Sequence, residues 1–464
     1  MVSRRAAALT ARPPAIAAAH FRAQADPYHP RRRPGGYLNL GTAENRLVWD
    51  LLRPRLAARR PPGPADTQYA PLHGAADFRA ALAGFLGGVC RTELDPDHLV
   101  VVSGVSAALD VIASVLCDPG DVIIVPAPYY GSFDVDLTGR SGARLLPVPV
   151  RPGQAGAAGP AGQAGQAGQA GQAGQADGTG AGDDTGAGGG IARAIDRALA
   201  DARRRGVTVR AVALASPGNP VGHVYGAPQL RALCEVAAGY GVDVIADEIY
   251  ANSVFGPAPF VSVLDPRVDA AGAGTRAHLL WGFAKDFGLP GFKVGVLHCP
   301  DPEIRAAARA FAYFAPTSTD TQAVLRDLLG DTGWVTGFLA ESRRRLGTSY
   351  TRATGMLTAA GIPFVPVAAG FSVWADLRAW LAAPTFAAEH ALWERIFEEL
   401  RVNILPGQAF TAPEPGWFRI CHATDRAVVA EGLRRIGGLP RAAGPGPAAT
   451  PVATVAGSAG LRRD

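Results

Sequence analysis

LLWGFAKDFGLPGFKVGVL, from Leu279 to Leu297, is the stretch that decides the fold of this chain. Leu279, Leu280 and Trp281 read as a buried strand, Lys285 follows at its end, and a glycine-punctuated turn carries a second lysine, Lys293, before another apolar strand. An amine at the end of an apolar strand is costly to bury unless its chemistry is used. One use is a Schiff base with an aldehyde cofactor, because a dry pocket lowers the pKa of the amine and makes it nucleophilic near neutrality. Strand-end lysines also lay their stems along the surface and reach water, so Lys285 has to be judged by its partners.

At 464 residues, 48% of them hydrophobic, the chain is long enough to bury a sizeable core and to divide into a large and a small domain. The net charge of +5 comes mainly from arginine, and the run Arg31-Arg32-Arg33 has no helix-turn-helix, zinc or stacking-sheet signature beside it. It therefore reads as a solvated surface, and neither a nucleic-acid partner nor a membrane is expected. Cys90, Cys117, Cys234, Cys299 and Cys421 are scattered and lack CxxC spacing, which fits buried thiols in a reducing cytoplasm and not a disulfide frame or a metal site. No run of apolar residues is long enough for a transmembrane helix, and the N-terminus lacks the apolar core of a secretion signal.

Residues 1–36 read as an irregular basic arm ending in Pro34-Gly35-Gly36. YLNLGTAENRL then gives a short strand and the polar knot Thr42-Ala43-Glu44-Asn45 ahead of an amphipathic helix. A loop carboxylate such as Glu44 is by itself an ordinary helix cap. Tyr69 and Gly74 lead into the next helix, and LVVVSGVSAALD places a small-residue turn between a strand and a helix starting at Ser106. Free amides at such a helix start attract anions, and a phosphate fits where side chains are small. DVIIVPAPYY ends a further strand at Tyr130, an aromatic that serves either the core or a planar ligand. From Arg151 to Gly190 the chain is nearly all Gly, Ala and Gln, and it reads as a disordered insertion in a surface loop. Beyond it, VRAVALASPGNPVG ends a strand at Asn219, and VDVIADEIY ends another at Asp247, Glu248 and Tyr250.

Strand and helix alternate repeatedly, and the strands are almost continuously apolar, which argues for an α/β fold with a mostly parallel central sheet covered on both faces. Ligands bind such sheets at the carboxyl ends of their strands, where Ser106, Tyr130, Asn219, Asp247, Tyr250 and Lys285 all fall. The set suits pyridoxal 5′-phosphate. A lysine meets the aldehyde, an aspartate keeps the pyridine nitrogen protonated, an asparagine and a tyrosine steady the phenolic oxygen, an aromatic stacks on the ring, and a helix start takes the phosphate.

The motifs SGVSAALD, NPVG, DEIY and AKDFGLPGFKVG resemble the fold-type-I, class I/II aminotransferase family. Within it, YLNLGTAENRL, DPGDVIIVPAPYYGSFDVDL, AGFSVWADLR and EPGWFRICHA are similar to the 1-aminocyclopropane-1-carboxylate synthases, which act on S-adenosylmethionine. The resemblance implies a large cofactor-binding domain over 63–315 and a small α/β domain from 37–62 and 316–438. A disordered tail is expected over 439–464. It also implies a homodimer with shared active sites. Carried over, Lys285 would be the cofactor's lysine and the base at Cα, and Val105, Ser106, Tyr130, Asn219, Asp247, Tyr250 and Lys293 would hold the cofactor. Arg419 would clamp the substrate carboxylate, and Glu44 would face the substrate's reactive end. Tyr69 would reach the phosphate in the neighbouring subunit.

Some positions depart from the pattern. The family usually has serines one and three residues before the lysine and an arginine eight after it, whereas this chain has Ala284, Gly282 and Lys293. Leu72 stands where the synthases place a tyrosine directly before His-Gly, and these losses imply weaker cofactor retention. The expected activity is Cα deprotonation and displacement of methylthioadenosine at Cγ, with a second substrate able to intercept the intermediate in a biosynthetic variant. The alternatives are an amino-acid aminotransferase and, more remotely, an aminotransferase-like regulator.

Overall fold

A computed structural model describes residues 15–58, 61–150, 190–269 and 276–442, with residues 2, 3, 6, 7 and 10 besides. The expected insertion, apart from Gly190, and the expected tail beyond Ala442 lie outside the described residues. In chain order the strands are β1 (Leu38–Asn39), β2 (Leu99–Val102), β3 (Val122–Ala127), β4 (Arg144–Pro149), β5 (Val209–Ala215), β6 (Asp243–Asp247), β7 (Ala277–Gly282) and β8 (Gly295–His298), then β9 (Phe364–Val365), β10 (Ser372–Asp376), β11 (Val402–Asn403), β12 (Leu405–Pro406) and β13 (Trp417–Cys421).

The central sheet has the order β2-β8-β7-β6-β5-β3-β4. β3, β4, β5, β6 and β7 pair in parallel, and β8 runs antiparallel to both its neighbours. Every residue of β2, β3, β6, β7 and β8 is buried, the signature of a sheet covered on both faces. Period-two alternation divides the side chains between two cores. Leu279 and Trp281 of β7 pack with Phe78, Leu82 and Phe283 on one side, and Leu280 packs with Leu109, Ile112 and Phe133 on the other. β4 carries Pro147 and Pro149 and lies at the sheet edge, where a missing amide costs least.

A smaller antiparallel sheet, β12-β13-β10-β9, has its own core. Along β13, Phe418 and Ile420 face that core, so the alternation turns Arg419 to the opposite face. Arg419 is buried on an interior strand, paired across the ladder with Trp374 of β10 and Leu405 of β12.

The N-terminal arm corrects one expectation. Ala15–Ala25 is a helix and not an irregular segment. Alanine is the best helix former, and the helix is held by tertiary contact: Ala19 and Ala23 bury against the cluster of Tyr37, Leu38 and Phe397. Arg22 adds a forked pair with Glu398 at 2.7 and 3.0 Å. The helix that was expected to start at Ser106 starts one residue earlier, at Val105.

Candidate active site

β3 and β5 are neighbours, yet the chain proceeds outward to β4 from one and toward β6 and β7 from the other, so the topology switches between them. The crevice beyond the carboxyl ends of these strands is where such sheets bind ligands. A cavity of about 190 Å³ lies there, lined by Val105, Ser106, Tyr130, Asn219, Asp247, Tyr250, Lys285 and Lys293. Eight side chains singled out in the sequence thus meet at one place.

Lys285 sits in a single helical turn, Phe283–Asp286, that follows β7 directly. The next residue fixes the turn: the buried Asp286 carboxylate accepts from Trp281 Nε1 at 3.0 Å, Ser253 Oγ at 2.7 Å and the Asn252 amide at 3.0 Å. The end of β7 is thereby tied to the loop after Tyr250. Lys285 Nζ donates to the Ala43 carbonyl at 2.7 Å. Burial and the nearby Arg419 guanidinium lower the amine to about pKa 8, against the pull of Glu44 and Asp247. A free amine is accordingly available near neutrality.

Asp247 ends β6, in register with Ala215 of β5 and Leu280 of β7. Burial raises its carboxyl to about pKa 7, and the Ile249 amide donates to Oδ1 at 3.2 Å. A carboxylate so placed favours a protonated ring nitrogen as its partner. Arg419 Nη1 donates to Asn219 Oδ1 at 3.1 Å. Because a guanidinium has no acceptor, this contact fixes the amide's orientation and leaves the Asn219 NH₂ free to donate. The buried Tyr250 ring is held edge-on to Phe371, with centroids 5.1 Å apart. Asn219 and Tyr250 together suit a phenolic oxygen, and Tyr130 supplies an aromatic face at the cavity wall.

Gly104, with φ of +101°, turns the chain into the helix Val105–Leu116, whose first amides have no acceptor within the helix. A Cβ at Gly104 would stand 3.7 Å from Lys293 Nζ, so the lysine lies over this turn. Helix start, Ser106 and Lys293 form a cup that would suit a phosphate. Gly282 cannot add a hydroxyl to it: a Cβ there would lie 2.6 Å from the Val294 carbonyl oxygen and 2.9 Å from Val105 Cγ2.

The site therefore fits pyridoxal 5′-phosphate. In that fit Lys285 would meet its aldehyde, Asp247 its ring nitrogen, Asn219 and Tyr250 its phenolic oxygen, and the Val105–Ser106 turn with Lys293 its phosphate. The remaining expected residues, Arg419, Glu44 and Tyr69, are not part of the cavity lining. Arg419 Nη2 donates to the Gly41 carbonyl at 2.6 Å, its Nε is buried without an acceptor among the described residues, and its guanidinium lies over the Phe410 ring at 4.9 Å. Both cations, Lys285 and Arg419, thus rest on carbonyls of the 41–43 loop. Glu44 is engaged by Arg46, which donates from Nε and Nη2 to one carboxylate oxygen at 3.0 and 2.8 Å. Tyr69 is fully exposed, away from the cavity of its own chain. Sequence reading missed Asp136, which lines the cavity and accepts from Ser106 Oγ at 2.9 Å. The signal was present in FDVD, two carboxylates just beyond a strand-end tyrosine pair.

The family model for aminotransferase class I and II matches residues 37–156 and 189–436. The chain is 32% identical over 427 residues to a 1-aminocyclopropane-1-carboxylate synthase of Glycine max, covering 89% of this chain and 82% of the relative. It is 34% identical over 423 residues to 1-aminocyclopropane-1-carboxylate synthase 3 of Oryza sativa subsp. japonica, covering 86% of each. Among solved structures, aspartate aminotransferase from Thermus thermophilus with maleate superposes with a TM-score of 0.71 at 23% identity, over 94% of this chain and 99% of that one. N-Succinyldiaminopimelate aminotransferase from Mycobacterium tuberculosis gives 0.70 at 22%, with the same coverage, and these two likenesses concern the fold. With the matched model spanning both sheets and the cavity at the end of the central one, the chain belongs to the aminotransferase class I and II family and is a pyridoxal 5′-phosphate-dependent enzyme.

Proposed function

We propose that the enzyme acts on S-adenosylmethionine, removing the Cα proton and displacing methylthioadenosine from Cγ, as its similarity to the synthases suggests. The observation that carries an amino-acid substrate on the protein's side is the buried Arg419, whose Nε has no acceptor among the described residues, while the choice of S-adenosylmethionine rests on the similarity. A substrate carboxylate supplies it, in the forked geometry that guanidinium favours. When bound, the cofactor provides an aldehyde for the substrate amine and a ring that withdraws electrons from Cα.

Lys285 Nζ takes the Cα proton. The electron pair left at Cα forms the bond to Cγ, the Cγ–sulfur pair leaves with sulfur, and the sulfonium departs as a neutral thioether. No strong acid is needed, so the protein's task is to align Cα, Cγ and sulfur. Asp247 would hold the cofactor's ring nitrogen and, as an anion, would favour its protonated form. Capture of the substrate at Cγ by a second molecule belongs to the same reading.

One observation favours a second reading, an aminotransferase of an amino acid. Glu44, the group expected to face a cationic sulfonium, is already paired with Arg46. Incubating the holoenzyme with S-adenosylmethionine separates the two: methylthioadenosine and a C4 product by mass spectrometry support the first, and keto-acid-dependent turnover without thioether release supports the second. The fully exposed Tyr69, together with the open phosphate cup, supports a homodimer in which each subunit closes its neighbour's site. Five buried free thiols support a reducing compartment such as the cytoplasm.

A further inference from the structure

Asp136 is the last residue of the short helix Phe133–Asp136, and its carboxylate lines the cavity at the phosphate cup. Ser106 Oγ donates to its Oδ2 at 2.9 Å. A hydroxyl has one proton, so a serine that donates it to a carboxylate presents lone pairs to anything else. Lys293 faces Asp136 across the cup, so the cup's cation and this anion offset each other. The other charged and titratable groups in reach are Asp110 on the adjoining helix, Asp247 at the end of β6 and Tyr130. Asp110 is itself paired with Arg140 at 2.8 Å. A phosphate dianion entering the cup thus meets a helix start, one ammonium and one carboxylate, with the serine proton already taken.

We infer that Asp136 sets how weakly the chain retains its cofactor: as an anion it withholds the Ser106 hydroxyl and cancels the Lys293 charge that a phosphate monoester needs. The inference concerns cofactor binding and stands whichever amino acid is the substrate. Burial raises the Asp136 carboxyl to about pKa 6, and an incoming phosphate raises it further. Cofactor binding at neutral pH therefore either takes up a proton at Asp136 or expels its side chain from the cup.

The test is cofactor titration of apoprotein, read by absorbance, in the wild type and Asp136→Asn. Asparagine can donate to Ser106 Oγ, which releases the hydroxyl proton toward phosphate. The dissociation constant is expected to fall about tenfold at about pH 7.5 and to match the wild type at about pH 5, where Asp136 is neutral. Ser106→Ala in the Asp136→Asn background is expected to lose much of that gain. An unchanged or weaker constant in Asp136→Asn, or a ratio that is the same at both pH values, overturns the inference. Should the variant not fold, inorganic sulfate, a dianion at both pH values, serves as competitor against cofactor binding to the wild-type apoprotein. A lower inhibition constant at about pH 5 than at about pH 7.5 supports the role of Asp136, and an equal or higher one overturns it.

Discussion

At the end of the cavity formed by Asp247, Asn219 and Tyr250, the chain itself fixes the polar groups: an amide on Asp247, a guanidinium on Asn219, a perpendicular phenylalanine ring against Tyr250. At the end formed by Ser106, Asp136 and Lys293, the side chains are exposed or paired with one another. The first end is largely buried and held in place by the chain, whereas the second is more exposed and sets a carboxylate beside its cation. In the proposed roles, reaction chemistry would fall to the prepared end, where misplacement costs rate, and cofactor retention to the adaptable one, where it costs affinity.

The largest effect is expected at the hinge between the two ends. Lys285→Ala removes both the amine that meets the aldehyde and the base at Cα, and kcat/KM should fall by about 10⁴-fold or more. Borohydride treatment of the wild-type holoprotein should modify Lys285. If that residue is left untouched, the assignment of the site fails. Next comes Arg419→Lys, which replaces a fork with a point charge and loosens Asn219 as well. KM for the amino-acid substrate should rise by about a hundredfold with a smaller change in kcat, and a change confined to kcat would show that the carboxylate is held elsewhere.

The prepared end also makes a statement about stability. Burial holds Asp247 at about pKa 7 and Glu248 at about 8, well above their unfolded values. Between those limits the native apoprotein binds more protons than the unfolded chain, so their contribution is full below about pH 4 and is lost as pH rises through 7 to 8. Buried His223, His298 and His422, lowered to about 4, 3 and 3, act in the opposite direction mainly below their ordinary pKa near 6.5, and Lys285, lowered to about 8, does so mainly above pH 8. Glu341 and Glu431, lowered to about 2 by their arginine partners, matter only in stronger acid. The thermal midpoint of the apoprotein should therefore decline from about pH 6.5 to 8, and Asp247→Asn should flatten part of that decline. A midpoint that rises over this range contradicts the burial of these carboxyls.

At the adaptable end, Gly282→Ser tests whether a hydroxyl can be restored to the cup. The new Cβ meets a backbone carbonyl and Val105, so the variant should lose about 1 to 3 kcal/mol of stability without gaining cofactor affinity. Val105→Ala should relieve only part of that loss, because the Val294 carbonyl stays in place.

The same contrast explains what could be read in the sequence. The central sheet was legible because its strands are largely apolar and carry polar groups at or within a few residues of their carboxyl ends, Asp247 as the last residue of β6 and Asn219 four residues past β5. Arg419 was legible from its strand but not its partners: that Gly41 and Asn219 receive its protons depends on how two sheets meet. Asp136 escaped because a carboxylate in a short turn looks like any solvated loop residue, and its significance comes from lying opposite Ser106, 30 positions earlier. The helix Ala15–Ala25 escaped because alanine contrasts too little with its neighbours to mark a face, and tertiary burial of Ala19 and Ala23 selects that face.

The smallest effect, and the one that most finely separates the two ends, is expected for Lys293→Arg. Lys293 has φ of +53°, a left-handed conformation that arginine adopts at the same cost as lysine, so the exchange should leave the backbone as it is. The stem already runs past Gly104 with Cε 3.6 Å from the place of a Cβ there, which brings the head group to the helix start. A guanidinium in that position can give two parallel hydrogen bonds to one phosphate where the ammonium gives a point charge. Cofactor dissociation should tighten about three- to tenfold, the gain expected from one added charge-assisted hydrogen bond in a half-open site. It should tighten further in Asp136→Asn, because the fork then has no carboxylate to draw it away from the phosphate. Equal dissociation constants for lysine and arginine in both backgrounds would mean that the helix amides alone hold the phosphate, and that the weakness of this end does not lie in residue 293.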